Sequence, residues 1–244
     1  MKLPKSWNDI TVEQFKELKS LDNEDFDSLF SRELESLAIL TNSDTDEFEE
    51  MDIDELISTI AEIKFIKKPP TSQFKHDINE FKYKGCNSLT LGEFIDLEVY
   101  FSKDYILHLP IICGILYRKH SVNSWGVEEI EPYKFNPLDR VDVFNELPIS
   151  FVYGITNDYI KFRENFLKVY ENLFQPTFDI EDDSEEMDIE DVKAEEEEKK
   201  VSRWSWESII WNLANEDITK VDQVTDLPLI LAFNFLSMKN DLQV

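Results

Sequence analysis

A chain of 244 residues suffices for one large domain or two small ones, and 42% hydrophobic with 13% aromatic residues provide a packed core over most of it. The net charge of −27, from 52 acidic against 25 basic residues, repels phosphate backbones and anionic lipid surfaces, so the expected partners are proteins and neither nucleic acid nor membrane. Only 5 glycines are present, which argues against phosphate-cradling loops and many tight hairpins.

Residues 1–68 read as helical. Thr11 and Gln14 make the T-x-x-Q pattern of a capping box, in which each side chain satisfies the other residue's backbone N–H. Phe15, Leu18 and Leu21 follow at helical spacing. A second helix is expected to carry Phe26, Leu29, Phe30, Leu34, Leu37 and Leu40. A third is expected from about Ile53 to Ile66, with Leu56, Ile57, Ile60, Ile63 and Ile66 on one face, and Pro69-Pro70 stops it. Over 71–88 the character changes. Phe81 and Tyr83 alternate with Lys82 and Lys84 before Gly85, as in a short strand pairing with Gln73–His76 in a small β-hairpin.

Helix resumes over 89–175. Thr90 and Glu93 form a second capping box, with Phe94 and Leu97 repeating the spacing of Phe15 and Leu18. Leu109-Pro110 opens an apolar segment through Ile111, Ile112, Ile115 and Leu116, proline being a good start signal because a first-turn N–H needs no partner. Trp125 to Pro137 reads as a loop. Leu147-Pro148 opens a helix through Phe151, Val152 and Ile155, and a further one carries Phe162, Phe166, Val169, Tyr170 and Phe174 before Pro176.

Residues 177–200 are acidic. From Asp179 to Glu198, 13 residues are Asp or Glu and one is Lys. Such a segment cannot offset its ordering entropy and is expected to be a disordered linker. Beyond it, Trp204, Trp206 and Trp211 crowd together, and Ile209, Ile210 and Leu213 complete an apolar helix. Asp217-Ile218-Thr219 leads to Val221 and Val224, and Leu227-Pro228 begins a final helix through Leu231, Phe235 and Met238. So short a module is stable only when docked on something.

Two patterns recur. One is a capped start, Asp9-Ile10-Thr11-Val12-Glu13-Gln14-Phe15 and Ser88-Leu89-Thr90-Leu91-Gly92-Glu93-Phe94, with Asp217-Ile218-Thr219-Lys220-Val221 a looser third copy. The other is Leu-Pro before an apolar helix, at 109, 147 and 227. Two readings stand: common helix grammar, or one helical unit used more than once.

Catalytic and metal-binding patterns are absent from the sequence. His76, His108 and His120 are scattered without HxxxH or HExxH company, and Cys86 and Cys113 form no CxxC pair. Free thiols in a reducing cytoplasm are the expectation. Met1-Lys2-Leu3-Pro4-Lys5 lacks the apolar core of a signal peptide, and no apolar run is long enough to span a bilayer. The Trp cluster is the sharpest local signal. Trp204 and Trp211 lie two helical turns apart on one face, which suits either core packing or a partner-binding face, where tryptophan is enriched.

The opening Leu3-Pro4-Lys5-Ser6-Trp7-Asn8-Asp9-Ile10-Thr11, with Phe15 and Leu18, resembles the start of proteins encoded by tailed bacteriophages, including those infecting Bacteroidetes. The closing residues Trp204, Trp206, Ile209, Ile210, Leu213, Ala214 and Asp217-Ile218-Thr219-Lys220 resemble the C-terminal module of phage tail-assembly chaperones. In that family a helical N-terminal domain is often joined by a linker to a small module, frequently added by a ribosomal frameshift. The N-terminal part of this chain is long for the family. The resemblance implies binding to the tape-measure protein and to tail-tube subunits in the host cell cytoplasm, without catalysis or cofactor, and absence from the finished virion.

The expected fold is therefore mainly α. A multi-helix body over 1–176, with a sub-boundary near 69–88, carries a small β-hairpin; an acidic disordered linker follows over 177–200, and a Trp-rich helical module over 201–244. Trp204, Trp206, Ile210 and Trp211 are the expected partner-binding residues. The alternative is a structural virion component of the neck, baseplate or interior.

Overall fold

The computed structural model describes residues 2–26, 29–133, 137–173 and 206–242. These form a mainly helical fold, with eleven α-helices and one small four-stranded antiparallel sheet. None of the described helices is long and apolar enough to cross a membrane. The chain divides into two compact units: Met1–Lys84 with Val99–Phe162, and Gly85–Glu98 with Arg163–Val244.

Unit 1 opens with α1 (Val12–Ser20), whose capping box is complete. Thr11 Oγ1 accepts the Gln14 N–H at 3.2 Å, and Gln14 Oε1 accepts the Thr11 N–H at 3.1 Å. Helix α2 (Leu29–Thr41) begins at Leu29, so Phe26 precedes the helix. Helix α3 (Thr45–Glu49) was not foreseen from the sequence; Asp44 caps it and it buries Phe48. Helix α4 (Ile53–Glu62) ends before Ile63 and passes into a 3-10 turn at Lys64–Lys67. Its buried line is Leu56, Ile60 and Ile63, whereas Ile57 is exposed. Positions i, i+4 and i+7 share a face, and the residue after the first does not.

The sheet belongs to unit 1 and is larger than the expected hairpin. Strand β1 (Asp77–Ile78) pairs with β2 (Phe81–Tyr83), β2 with β3 (Tyr117–Val122), and β3 with β4 (Glu128–Ile130). The partner of Phe81–Tyr83 is thus 77–78 and not Gln73–His76, although the His76 carbonyl still accepts the Tyr83 N–H at 2.8 Å. The reason lies at Gln73, whose N–H donates to the Ser150 carbonyl at 2.9 Å and whose backbone lies against Gly154. Strand β3 follows α6 (Leu109–Leu116) directly, and β4 falls inside the stretch read as a loop. Tyr117 and Phe81 pack on Phe144, with ring centroids 5.8 and 5.5 Å away. Phe144 comes from the short helix α7 (Val141–Asn145), which precedes α8 (Ile149–Val169). Helix α8 runs unbroken through the first of the two segments read as separate helices and through Phe162, Phe166 and Val169 of the second; Tyr170 follows its end, and Phe174 and the linker expected over 177–200 lie outside the described residues. The unit division falls within α8 and within α5 (Leu91–Phe101).

Unit 2 contains the first turns of α5, the end of α8, a helix α9 described over 206–213, α10 (Val221–Thr225) and α11 (Leu229–Leu242). Its aromatic core joins Phe94 of α5 to Phe166 and Phe233, at 5.0 and 6.3 Å, and Phe233 to Tyr170 at 5.3 Å. Glu98, buried, takes a bidentate pair of hydrogen bonds from Arg163 at 2.6 and 2.8 Å.

Each unit contains the same device. In unit 1, Thr11 and Pro148 form an isolated antiparallel bridge, with the Val12 N–H on the Leu147 carbonyl and the Ile149 N–H on the Ile10 carbonyl, both at 2.9 Å. In unit 2, Thr90 and Pro228 do likewise, through Leu91 to Leu227 and Leu229 to Leu89, again both at 2.9 Å. A first-turn helix N–H has no intrahelical acceptor. Here each bridge supplies an acceptor to the first residue of two helices at once. Before each Leu-Pro stand a 3-10 turn and a five-residue helix, 137–145 in one unit and 218–225 in the other. The third expected copies differ. Asp217 caps the 3-10 turn Ile218–Lys220, and Pro110 lies inside α6 after a turn, without such a bridge.

Candidate functional site

The C-terminal helices of unit 2 hold three of the four residues expected to bind partners. Trp204 lies outside the described residues. Trp206 is half-buried, its ring edge-on to Phe94 at 5.3 Å. Ile210 is half-buried, and Trp211 is 44% exposed. Helix α9 ends in a Schellman arrangement: the Glu216 N–H reaches the Trp211 carbonyl at 3.0 Å and the Asn215 N–H the Asn212 carbonyl at 3.2 Å. Asn215 stands at φ 55°, a left-handed conformation that asparagine tolerates better than most residues. Asp217 then caps the next turn by accepting from the Thr219 N–H at 3.0 Å and the Thr219 hydroxyl at 2.6 Å. The Thr219 hydroxyl, then the Lys220 ammonium and the Thr219 amide, hold the Asp217 carboxyl down to about 2.

Helix α11 carries two apolar rows. Leu229, Ala232, Phe233 and Leu236 are buried, at i, i+3, i+4 and i+7. Leu231, Phe235, Met238 and Leu242 repeat at i, i+4, i+7 and i+11, and each remains 47–63% exposed. A surface helix of a globular protein ordinarily has one apolar stripe, so the second row has no partner among the described residues that covers it. Phe235, Met238 and Leu242 line a cleft of about 270 Å³ with Leu213 and the polar side chains of Asn212, Asn215 and Lys239. Lys239 Nζ donates to Asn212 Oδ1 at 3.0 Å and ties α11 to α9. On the opposite flank the Tyr170 hydroxyl donates to Asn234 Oδ1 at 2.7 Å, and burial raises the Tyr170 pKa.

Several charged and nucleophilic groups of unit 1 make internal contacts or lie buried. Arg118, fully buried, donates to the carbonyls of Gly114 at 3.3 Å, Ile115 at 2.5 Å and Tyr117 at 3.0 Å, where α6 ends. That is where a cation complements the helix dipole. Arg140 donates to the Tyr117 carbonyl at 3.1 Å and pairs with Glu131. Burial, reinforced by Arg118, lowers its pKa to about 10. Burial pushes the Cys113 thiol up, the opposite of what a reactive thiolate needs. Among the described residues no group of three or more His, Cys, Asp or Glu side chains could hold a metal ion. No protein-family profile, curated protein or solved structure matches this chain.

The sequence pointed to the tryptophans, and the more exposed surface lies on α11. Its second row was visible as Leu231, Phe235 and Met238 of the final helix, with no face assigned to them. Only the burial of the neighbouring row, through Phe233, separates the two.

Proposed function

We propose that this protein is a tail-assembly chaperone of a tailed bacteriophage. It acts in the host cytoplasm without catalysis and binds the tape-measure protein and tail-tube subunits through unit 2. The observation that carries the reading is the second apolar row of α11, Leu231, Phe235, Met238 and Leu242, with Trp211 exposed on α9. A long helical client presents apolar side chains at the matching helical spacing, and a helix laid along a row of this kind is a common recognition mode. Burying the exposed halves of these side chains contributes about 1 kcal/mol each. The polar rim of Asn212, Asn215 and Lys239 keeps the row soluble when no client is bound. The resemblance of both ends of the chain to phage proteins supports the choice of client, and the net charge of −27 supports a protein partner over nucleic acid.

The test is co-expression of the tagged full-length chain with the phage tail proteins, comparing wild type with the double variant Phe235→Ser/Met238→Ser. Retention of a long helical tail protein by wild type, and its loss in the variant, supports the reading. Equal retention by both removes α11 as the binding face.

A further inference from the structure

The two Leu-Pro helices can be laid residue on residue. Val141-Asp142 and Leu147-Pro148 ahead of α8 correspond to Val221-Asp222 and Leu227-Pro228 ahead of α11, and the two prolines occupy the same bridge. The core faces then agree. Ile149, Val152 and Thr156 are buried on α8, and so are their counterparts Leu229, Ala232 and Leu236 on α11.

The outer faces do not agree. Ser150 and Ile155 are fully buried, whereas their counterparts Ile230 and Phe235 are 40% and 47% exposed. The cover in unit 1 is the chain's own stretch from Gln73 to Tyr83, which contains no helix. The Gln73 N–H donates to the Ser150 carbonyl at 2.9 Å, and its backbone crosses Gly154 closely. The Lys75 ammonium stands 3.9 Å from the centre of the Phe151 ring, and the Tyr83 hydroxyl donates to Asp158 at 2.6 Å. The counterparts of Phe151, Gly154 and Asp158 on α11 are Leu231, Asn234 and Met238, and all three are exposed.

We infer that the flank of α11 formed by Ile230, Leu231 and Asn234 docks a non-helical segment of a partner protein, which completes unit 2 as the Gln73–Tyr83 stretch completes unit 1. The differences between the helices set its chemistry. Ile230 and Leu231 stand where Ser150 and Phe151 do, so the side chains that meet them are aliphatic, without the ammonium that lies over the Phe151 ring. Asn234 replaces Gly154 and its side chain already accepts the Tyr170 hydroxyl, so the occupant makes contact through side chains and not through its backbone. Asp241 lies exposed farther along the same flank, eleven residues after Ile230, and forms no ion pair among the described residues. It sits in the last turn of α11, where the helix dipole disfavours a carboxylate and favours a cation. A lysine or arginine of the partner therefore belongs beside it. This carboxylate and the net charge of −27 count against a second copy of the chain and against its own acidic run as the occupant.

The test titrates the full-length chain with three labelled synthetic peptides and reads fluorescence anisotropy. One alternates Val with Lys around a central proline that keeps it from forming helix. The second replaces Lys by Glu, and the third replaces Val by Ser. The Val–Lys peptide is expected to bind, with affinity falling as salt rises, and both controls to fail. Ile230→Ser should weaken binding by about tenfold, and Asp241→Asn by less, with unchanged circular dichroism. No binding of the Val–Lys peptide, equal binding of the Glu peptide, or no effect of Ile230→Ser overturns the inference. A peptide of residues 177–200 that displaces the Val–Lys peptide at lower concentration assigns the flank to the chain's own acidic run and overturns the choice of a partner. A dimer in sedimentation that Ile230→Ser abolishes assigns it to a second copy and does the same. Ile230→Ser should spare the retention of a tail protein that Phe235→Ser/Met238→Ser abolishes, so this inference and the reading of the α11 row fail separately.

Discussion

Thr11 and Pro148, at nearly opposite ends of unit 1 in sequence, form an isolated antiparallel bridge that seats the first residues of α1 and α8 on each other's preceding carbonyls. Thr90 and Pro228 repeat the relationship in unit 2. The recurring capped start and Leu-Pro are therefore two halves of one tertiary device. The proline fits its place because a residue just before the helix needs no N–H there, while its carbonyl accepts from the next turn at 3.0 Å in both units.

If the cap is part of that device, Thr11→Ala should cost about 1 kcal/mol in urea unfolding, and Thr90→Ala a similar amount. Thr11→Ser should recover most of the loss, because the hydroxyl still accepts the Gln14 N–H. A loss that serine does not recover would show that the methyl group, and not the cap, carries the effect.

Gly154 and Gly92 should respond differently to alanine. A Cβ at Gly154 would lie 2.5 Å from the Gln73 carbonyl oxygen, which is backbone and cannot turn aside. A Cβ at Gly92 would meet the Thr225 Cβ at 3.1 Å. Gly154→Ala is expected to cost about 3 kcal/mol and Gly92→Ala about 1 kcal/mol. Thermal melts of the two variants read the order directly, and the reverse order would contradict the close approach at Gln73.

The tryptophans of the C-terminal module should separate by role. Trp206→Ala removes the ring against Phe94 and should lower the thermal midpoint, at a cost of about 2 kcal/mol. Trp211→Ala and Phe235→Ser should lower the midpoint less than Trp206→Ala does, since both side chains are about half exposed, while weakening client binding about tenfold. Calorimetry with a client pull-down checks both halves. A large fall in midpoint for Trp211→Ala would move that residue into the core.

Asp217 provides a pH signature. Its carboxyl is held to about 2, below its ordinary 3.8, chiefly by the Thr219 hydroxyl, then by Lys220 and the Thr219 amide. A depressed carboxylate contributes stability that is complete above the unfolded value and is lost as the pH falls through the folded one. The 3-10 turn at Ile218–Lys220 should therefore stay capped down to about pH 3.8 and lose its cap between there and about 2. Carbon-detected NMR titration of the Asp217 carboxyl gives the value, and Thr219→Ala should bring it back towards 3.8.

Local signals were legible, and those completed by distant residues were not. Both capping boxes could be read because donor and acceptor lie three residues apart. Strand β3 was hidden because Tyr117 continues the apolar run of α6, and its partners, Phe81–Tyr83 and Glu128–Ile130, are set by register across the sheet. Helix α3 has a single buried apolar residue, Phe48, too few to show a period. Helix α8 read as two helices, one through Ile155 and one carrying Phe162, and the polar Thr156-Asn157-Asp158 lies between them. The Asp158 carboxylate accepts the Tyr83 hydroxyl at 2.6 Å and Thr156 bonds back to the Val152 carbonyl at 2.9 Å, so the polar stretch has partners within the helix and across unit 1. On α11 the apolar residues were all visible, but which row faces the core depends on Phe94, Phe166 and Tyr170, contributed by other parts of unit 2.

The most direct test of the chaperone reading is quantitative mass spectrometry of purified phage particles, run beside a pull-down of the tagged full-length chain from infected cells. The account predicts a long helical tail protein in the pull-down and this chain missing from the particles. Recovery of the chain in particles at a fixed ratio to the tail proteins would contradict it and make the protein a structural component of the virion.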